Sequence, residues 1–110
     1  MNMRRAVWSM ALVLGLAGVA TAQDQVNIGK KVFTDQKCAI CHSIAGQGNK
    51  NGSLDNVGSK LSADEIRAWI TNAPEMAAKT KADRKPAMKV FALKPEELDG
   101  LVAYLQSLKK

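Results

Sequence analysis

The sequence predicts a small all-α domain, in which three main helices are joined by long loops. Apolar residues recur at helical spacing in three segments, and no segment alternates with the two-residue period of a strand. Two stretches between the helices lack periodicity, and one of them is rich in glycine and asparagine. The chain has 110 residues, of which 46% are hydrophobic and 24% charged. This composition excludes global disorder, and the length excludes barrels and doubly wound sheets.

The first 22 residues have the pattern of a secretory signal peptide. Arg4 and Arg5 precede an uncharged run from Ala6 to Gln23, and Ala20-Thr21-Ala22 is a small-residue cleavage site. Because the uncharged run has 18 residues, an uncleaved membrane anchor is the alternative. We expect export to the periplasm and a mature domain of residues 23–110. That domain keeps fourteen basic and ten acidic side chains, a net charge of +4.

The first predicted helix runs from about Asp24 to Asp35 and ends just before Cys38. From Ser43 to Lys60 the chain is rich in Gly and Asn, so we expect a long loop. Loops of this length in a compact domain are uncommon unless they are functional, and often they surround a group other than protein. The apolar side of the helix comprises Val26, Ile28, Gly29, Val32 and Phe33.

Two further helices follow. Ser62 and Glu65 form a capping box at the start of the second, and Pro74 is expected to end it. A short helical turn is expected at Glu75–Thr80, and Lys81–Lys94 is expected to be a loop. The final helix begins at Pro95, and its apolar stripe consists of Leu98, Leu101, Val102, Leu105 and Leu108.

Both cysteines and the single histidine fall in one pentapeptide, Cys38-Ala39-Ile40-Cys41-His42. Two thiols at this spacing reach two vinyl groups on one edge of a porphyrin, and the adjacent imidazole can ligate the iron. A thioredoxin-like dithiol would need a βαβ pattern, which is absent, and a zinc site would need a fourth ligand. The pattern predicts one covalently attached haem c with iron, held by Cys38 and Cys41 and ligated by His42. Such a group would also stabilise a core that has few aromatic residues.

The sixth iron ligand is left to two methionines, since a second histidine is lacking. Met88 lies in a loop stiffened by Pro86, whereas Met76 lies in an alanine-rich segment that suits core packing. We expect Met88 to be the distal ligand, with Met76 as the alternative and an open sixth position as the third possibility.

A cluster of basic residues surrounds the proposed methionine loop and is opposed only by Asp83. It could steer an acidic redox partner towards the site, or it could be a solvated face. Trp69 is expected to pack in the core against the porphyrin, the alternative being a hydrogen bond to a propionate. The basic cluster consists of Lys79, Lys81, Arg84, Lys85 and Lys89.

From residue 23 to residue 110 the chain resembles the class I monohaem c-type cytochromes. Besides the pentapeptide, the similar segments occur in the family's order: Gly29–Phe33, Asn51–Leu54, Ala68–Asn72, Lys85–Met88 and Leu101–Leu105. The resemblance implies that the last helix crosses the first near Gly29 and Phe33. Two departures stand out: Ser53 replaces the proline whose carbonyl accepts the histidine's Nδ1 proton, and Lys89 replaces a proline after the methionine.

The expected function is that of a periplasmic one-electron carrier, a monomer, with redox proteins as partners. Neither an enzymatic site nor a small-molecule substrate is indicated, and export argues against nucleic acid. A membrane contact would require that the N-terminal segment is kept. The alternatives are a haem subunit docked to an exported dehydrogenase, and a ligand-sensing haem protein with an open sixth position. Thiol–disulfide exchange is an alternative from a further class of function, and it predicts free thiols in the mature protein.

Overall fold

Residues 21–109 are described by a computed structural model. Positions 1–20, which hold most of the expected export signal, and Lys110 lie outside the described residues. Within the described part, every helix is too short or too polar to span a bilayer. In chain order the elements are α1 (Ala22–Asp35), a 3₁₀ turn (Cys38–Ile40), β1 (Ser43–Ile44), β2 (Gln47–Gly48), a second 3₁₀ turn (Lys50–Gly52), α2 (Val57–Lys60), α3 (Ala63–Thr71), α4 (Ala73–Thr80) and α5 (Pro95–Gln106).

Helices α1 and α5, from opposite ends of the domain, cross at two glycines. A β-carbon on Gly29 would overlap the carbonyl oxygen of Gly100, so the two backbones touch there. One turn further along, the rings of Phe33 and Tyr104 meet edge to face, with centroids 6.1 Å apart and planes at 83°. The crossing expected from the family resemblance is confirmed.

Helix α3 begins as the capping box predicts. The backbone N–H of Glu65 donates to the Ser62 hydroxyl at 3.1 Å, and the Ser62 N–H donates to the Glu65 carboxylate at 2.9 Å. The expectation that Pro74 ends this helix is wrong, since α3 already ends at Thr71. Pro74 instead lies in the first turn of α4, where a missing N–H costs nothing. The short turn expected at Glu75–Thr80 is a full helix.

The segment Ser43–Lys60, expected to be loop, contains short regular elements. β1 and β2 pair antiparallel through Ser43–Gly48 and Ile44–Gln47. Helix α2 follows and is tied to the end of the chain, because the Gly58 N–H donates to the Leu108 carbonyl at 2.8 Å. Isolated two-residue strands and single helical turns depend on such tertiary contacts, which leave no periodic signal in the sequence.

The core lies where α1, α3 and α5 meet, so the three main helices predicted from the sequence are confirmed. Cys38 packs against this core, which places the start of the pentapeptide beside it. The predicted loop between Lys81 and Lys94 is confirmed, and its far end is held by a hydrogen bond from the Phe91 N–H to the Ile70 carbonyl at 3.0 Å. The buried core residues are Val32, Phe33, Ile66, Ile70, Leu101, Val102 and Leu105.

Candidate functional site

The pentapeptide forms one tight turn directly after α1. Lys37 adopts the left-handed conformation (φ 58°) and reverses the chain at the end of the helix. The N–H groups of Cys41 and His42 both donate to the Cys38 carbonyl, at 3.1 and 2.9 Å. Both thiols are half-buried and free of a disulfide. The turn therefore brings the two thiols and the imidazole into one short stretch of backbone at the edge of the core.

The imidazole of His42 is oriented by a backbone carbonyl. Its Nδ1 donates to the carbonyl oxygen of Gly52 at 3.0 Å, which leaves the lone pair of Nε2 available to a metal. Burial lowers the pKa of His42, the hydrogen bond to Gly52 acts in the opposite direction, and the positive charge of Arg84 lowers the pKa further. The lowered pKa favours the neutral form of the imidazole, which is the form that can ligate a metal.

The residue expected to supply this carbonyl was Ser53, and that expectation is wrong by one position. Ser53 is instead bridged to Ser43 in a parallel ladder contact. Gly52 ends the second 3₁₀ turn, in which its N–H donates to the Asn49 carbonyl at 3.1 Å. This turn directs the Gly52 carbonyl towards His42.

Asn49 fixes the pentapeptide from the opposite loop, a role that sequence reasoning missed. Its backbone N–H lies 3.0 Å from the Ala39 carbonyl and 3.1 Å from the His42 carbonyl, and its side-chain amide donates to the Ile40 carbonyl at 3.1 Å. The sequence feature that indicates a turn here is the run Asn49-Lys50-Asn51, because asparagine side chains stabilise local turns. Here the Asn49 side chain also accepts from the Asn51 N–H at 3.0 Å.

The positive charges of two residues of the basic cluster act on the pentapeptide, and that of a third acts elsewhere. Burial raises the pKa of the Cys38 thiol, and the positive charge of Lys89 acts against that rise. Arg84 acts in the same way on His42, as described above. Lys79 lies instead beside Glu65, in a groove between α3 and α4. Within the cluster, Arg84 and Lys89 thus act on the pentapeptide, whereas Lys79 acts on Glu65.

The two methionines of the described domain also have different surroundings. Met88 is half-buried in the loop that carries Arg84 and Lys89, where its neighbours from 81 to 90 are exposed. Met76 lines the groove of about 350 Å³ between α3 and α4, together with Asp64, Glu65, Ala68, Lys79 and Thr80. The positive charges of the Met88 loop act on Cys38 and His42, whereas Met76 lines the groove between α3 and α4.

Trp69 is half-buried, and within residues 21–109 it lies outside the apolar core cluster. Its expected partner was the porphyrin, so its packing role stays a prediction.

The donor set fits haem c. Two free thiols three residues apart lie beside an imidazole whose Nδ1 is already hydrogen-bonded, and this is the arrangement that covalent attachment and proximal ligation require. Among the described residues, no group of three or more His, Cys, Asp or Glu side chains is placed to bind a metal ion.

The family model for cytochrome c matches residues 26–109. The chain belongs to the cytochrome c family. This cytochrome c therefore binds haem c, and its Cys38 and Cys41 fit the attachment motif. The chain is 27% identical over 92 residues to cytochrome c oxidase subunit 2 of Alkalihalophilus pseudofirmus, an alignment covering 76% of this chain and 25% of the relative. The chain spans about a quarter of the length of that curated relative. No solved structure matches it significantly.

Proposed function

We propose that this cytochrome c is an exported one-electron carrier with histidine–methionine ligation, and that it does not itself catalyse a reaction on a substrate. The observation that carries the proposal is the imidazole of His42, which is fixed through Nδ1 to the Gly52 carbonyl beside two half-buried cysteines that are not joined in a disulfide. A ligand oriented in this way keeps its position when the charge of the iron changes, which favours fast electron transfer.

Each residue has a defined part in this proposal. Cys38 and Cys41 would hold haem c through thioethers to its two vinyl groups, His42 would ligate the iron through Nε2, and Met88 would ligate it through its sulfur. When bound, haem c supplies the ferric–ferrous couple, which takes up and releases one electron. A thioether ligand stabilises the ferrous state and so raises the reduction potential. Met88 is preferred over Met76 because its loop also carries the two charges that act on Cys38 and His42.

The proposed partners are redox proteins that have an acidic docking face. The charges of Arg84 and Lys89 act on the attachment turn, so an acidic partner would be drawn towards this part of the molecule. The predicted signal at residues 1–22 supports a periplasmic location and a soluble mature domain from residue 23 onwards.

Mass and visible spectra of protein isolated from a periplasm test the proposal. We expect an intact mass about 616 Da above that of the polypeptide, and a weak ferric band at about 695 nm from methionine ligation. The reduced protein should bind carbon monoxide only slowly. Free thiols without Soret absorption would contradict haem attachment, and rapid carbon monoxide binding would favour the ligand-sensing alternative.

A haem subunit docked to a larger redox enzyme is the second candidate. It is supported by the relative named cytochrome c oxidase subunit 2, in which the matching segment occupies only a quarter of a longer protein. Size-exclusion chromatography of native extracts separates the two functions. A carrier elutes as a monomer of the mature mass, whereas a subunit co-elutes with an enzyme.

A further inference from the structure

A cationic side chain lies against the turn that orients His42. A β-carbon on Gly52 would overlap both the guanidinium of Arg84 and the carbonyl oxygen of Cys41. Gly52 provides the carbonyl that accepts from His42, and Cys41 is the second cysteine of the pentapeptide. Arg84 therefore contacts the attachment turn at the place where the absence of a side chain on Gly52 leaves room for it.

The contact joins two segments that are far apart in sequence. Arg84 belongs to the loop that carries Met88, whereas Gly52 ends the turn beneath His42. Within residues 21–109 the ion pairs are Lys31–Asp35 and Arg67–Asp99, so the charge of Arg84 is not neutralised by a carboxylate there.

We propose that Arg84 is a positioning residue that holds the Met88 loop against the Gly52 turn, and that its charge raises the reduction potential of the bound haem. The inference rests on the proposed carrier function. Reduction adds one electron to the ferric centre without making or breaking a bond, and so removes one unit of positive charge. A fixed cation nearby disfavours the more positive ferric state, and the guanidinium of Arg84, although exposed to solvent, is held in contact with the Gly52 turn.

Three variants of the haem-loaded protein test this proposal. Arg84→Gln removes the charge, Arg84→Lys keeps it, and Lys85→Gln removes a charge from the neighbouring exposed residue of the same loop. We expect Arg84→Gln to lower the midpoint potential more than Lys85→Gln does. The shift of Arg84→Gln should fall less than that of Lys85→Gln when the salt is raised to about 0.5 M, where the Debye length is only about 4 Å, because Arg84 is in contact with the Gly52 turn. Arg84→Lys should retain most of the wild-type potential.

The positioning role has its own readout, the ferric band at about 695 nm. Weakening of this band in Arg84→Gln but not in Lys85→Gln would support the proposal. Equal potential shifts in the two Gln variants, shifts that both vanish at high salt, or an unchanged potential in Arg84→Gln would overturn it. If Arg84→Gln does not fold, Arg84→Lys provides the test. A reduction potential equal to that of the wild type at high salt would support the charge effect, and a lower potential would contradict it. Failure of the proposed carrier function would be seen separately in the wild-type protein, which would then lack either the thioether-linked haem or the ferric band at about 695 nm.

Discussion

Gly29 and Gly100 touch backbone to backbone where α1 crosses α5, since a β-carbon on Gly29 would overlap the Gly100 carbonyl oxygen and the Cβ of Tyr104. The contact brings the first and last helices of the domain close enough for Phe33 and Tyr104 to meet. The turn from Lys37 to His42 begins where α1 ends, so the helix crossing also determines where the haem-attaching residues lie.

Gly29→Ala should destabilise the folded protein by about 3 kcal/mol, because the two helices must separate to admit a methyl group. Gly100→Ala should cost less, because its β-carbon would meet side-chain atoms of Ile28, at 2.6 and 2.9 Å, rather than overlap a backbone carbonyl. Denaturant unfolding of both variants measures the difference. Equal stabilities would contradict the close crossing, and Lys30→Ala at an exposed position serves as the control.

Met88→Ala should abolish the ferric band at about 695 nm and lower the reduction potential, because the thioether ligand is removed. Met76→Ala should leave both unchanged, since Met76 lines the groove beside α3. Visible spectra and potentiometry of the two variants check this expectation. The opposite pattern would make Met76 the ligand, and no change in either would favour an open sixth position.

Lys89→Gln should slow oxidation by an anionic reagent such as hexacyanoferrate(III) more than Lys79→Gln does. Lys89 acts on the attachment turn, whereas the charge of Lys79 is partly offset by Glu65. Stopped-flow rates measured at several ionic strengths should converge at high salt, as expected for electrostatic steering. Identical rates for both variants at low salt would mean that the whole basic cluster is a solubilising surface.

Ser62→Ala should lower the free energy of unfolding by about 1 kcal/mol, because the Glu65 N–H loses its partner at the start of α3. Ser59→Ala provides a matched control at an exposed serine outside the cap. A loss in the control as large as that in Ser62→Ala would show that the cap does not contribute.

The same cap should make the free energy of unfolding depend on pH in the acidic range. Hydrogen bonds from the Ser62 backbone and side chain lower the pKa of Glu65 below its ordinary value. A carboxyl group whose pKa is lowered in the folded state stabilises that state above its unfolded pKa, and the contribution is lost as the pH falls through the folded pKa. Wild-type protein should therefore lose stability below about pH 4. Glu65→Gln, which keeps an acceptor oxygen, should lose less, and thermal unfolding between neutral and acidic pH measures the difference.

Much of this molecule follows from local signals in the chain. The spacing of apolar residues predicts α1, α3 and α5, because a helix buries one side of each turn and the pattern needs only neighbouring positions. The Ser62 capping box marks the start of α3 for the same reason. The five residues from Cys38 to His42 identify the cofactor, since the chemistry of attachment is contained in one short turn.

The tertiary structure decided which distant residues complete the site. Gly52 rather than Ser53 accepts from His42, Asn49 ties down the pentapeptide, and Arg84 fits against Gly52. These contacts depend on how one loop folds over another, so they cannot be predicted from the spacing of apolar residues in the sequence. The sequence by itself determined the helices and the cofactor, because both depend on residues that are close together in the chain. The folded chain decided the orientation of the histidine and the charges around it, because those depend on atoms that only packing brings together.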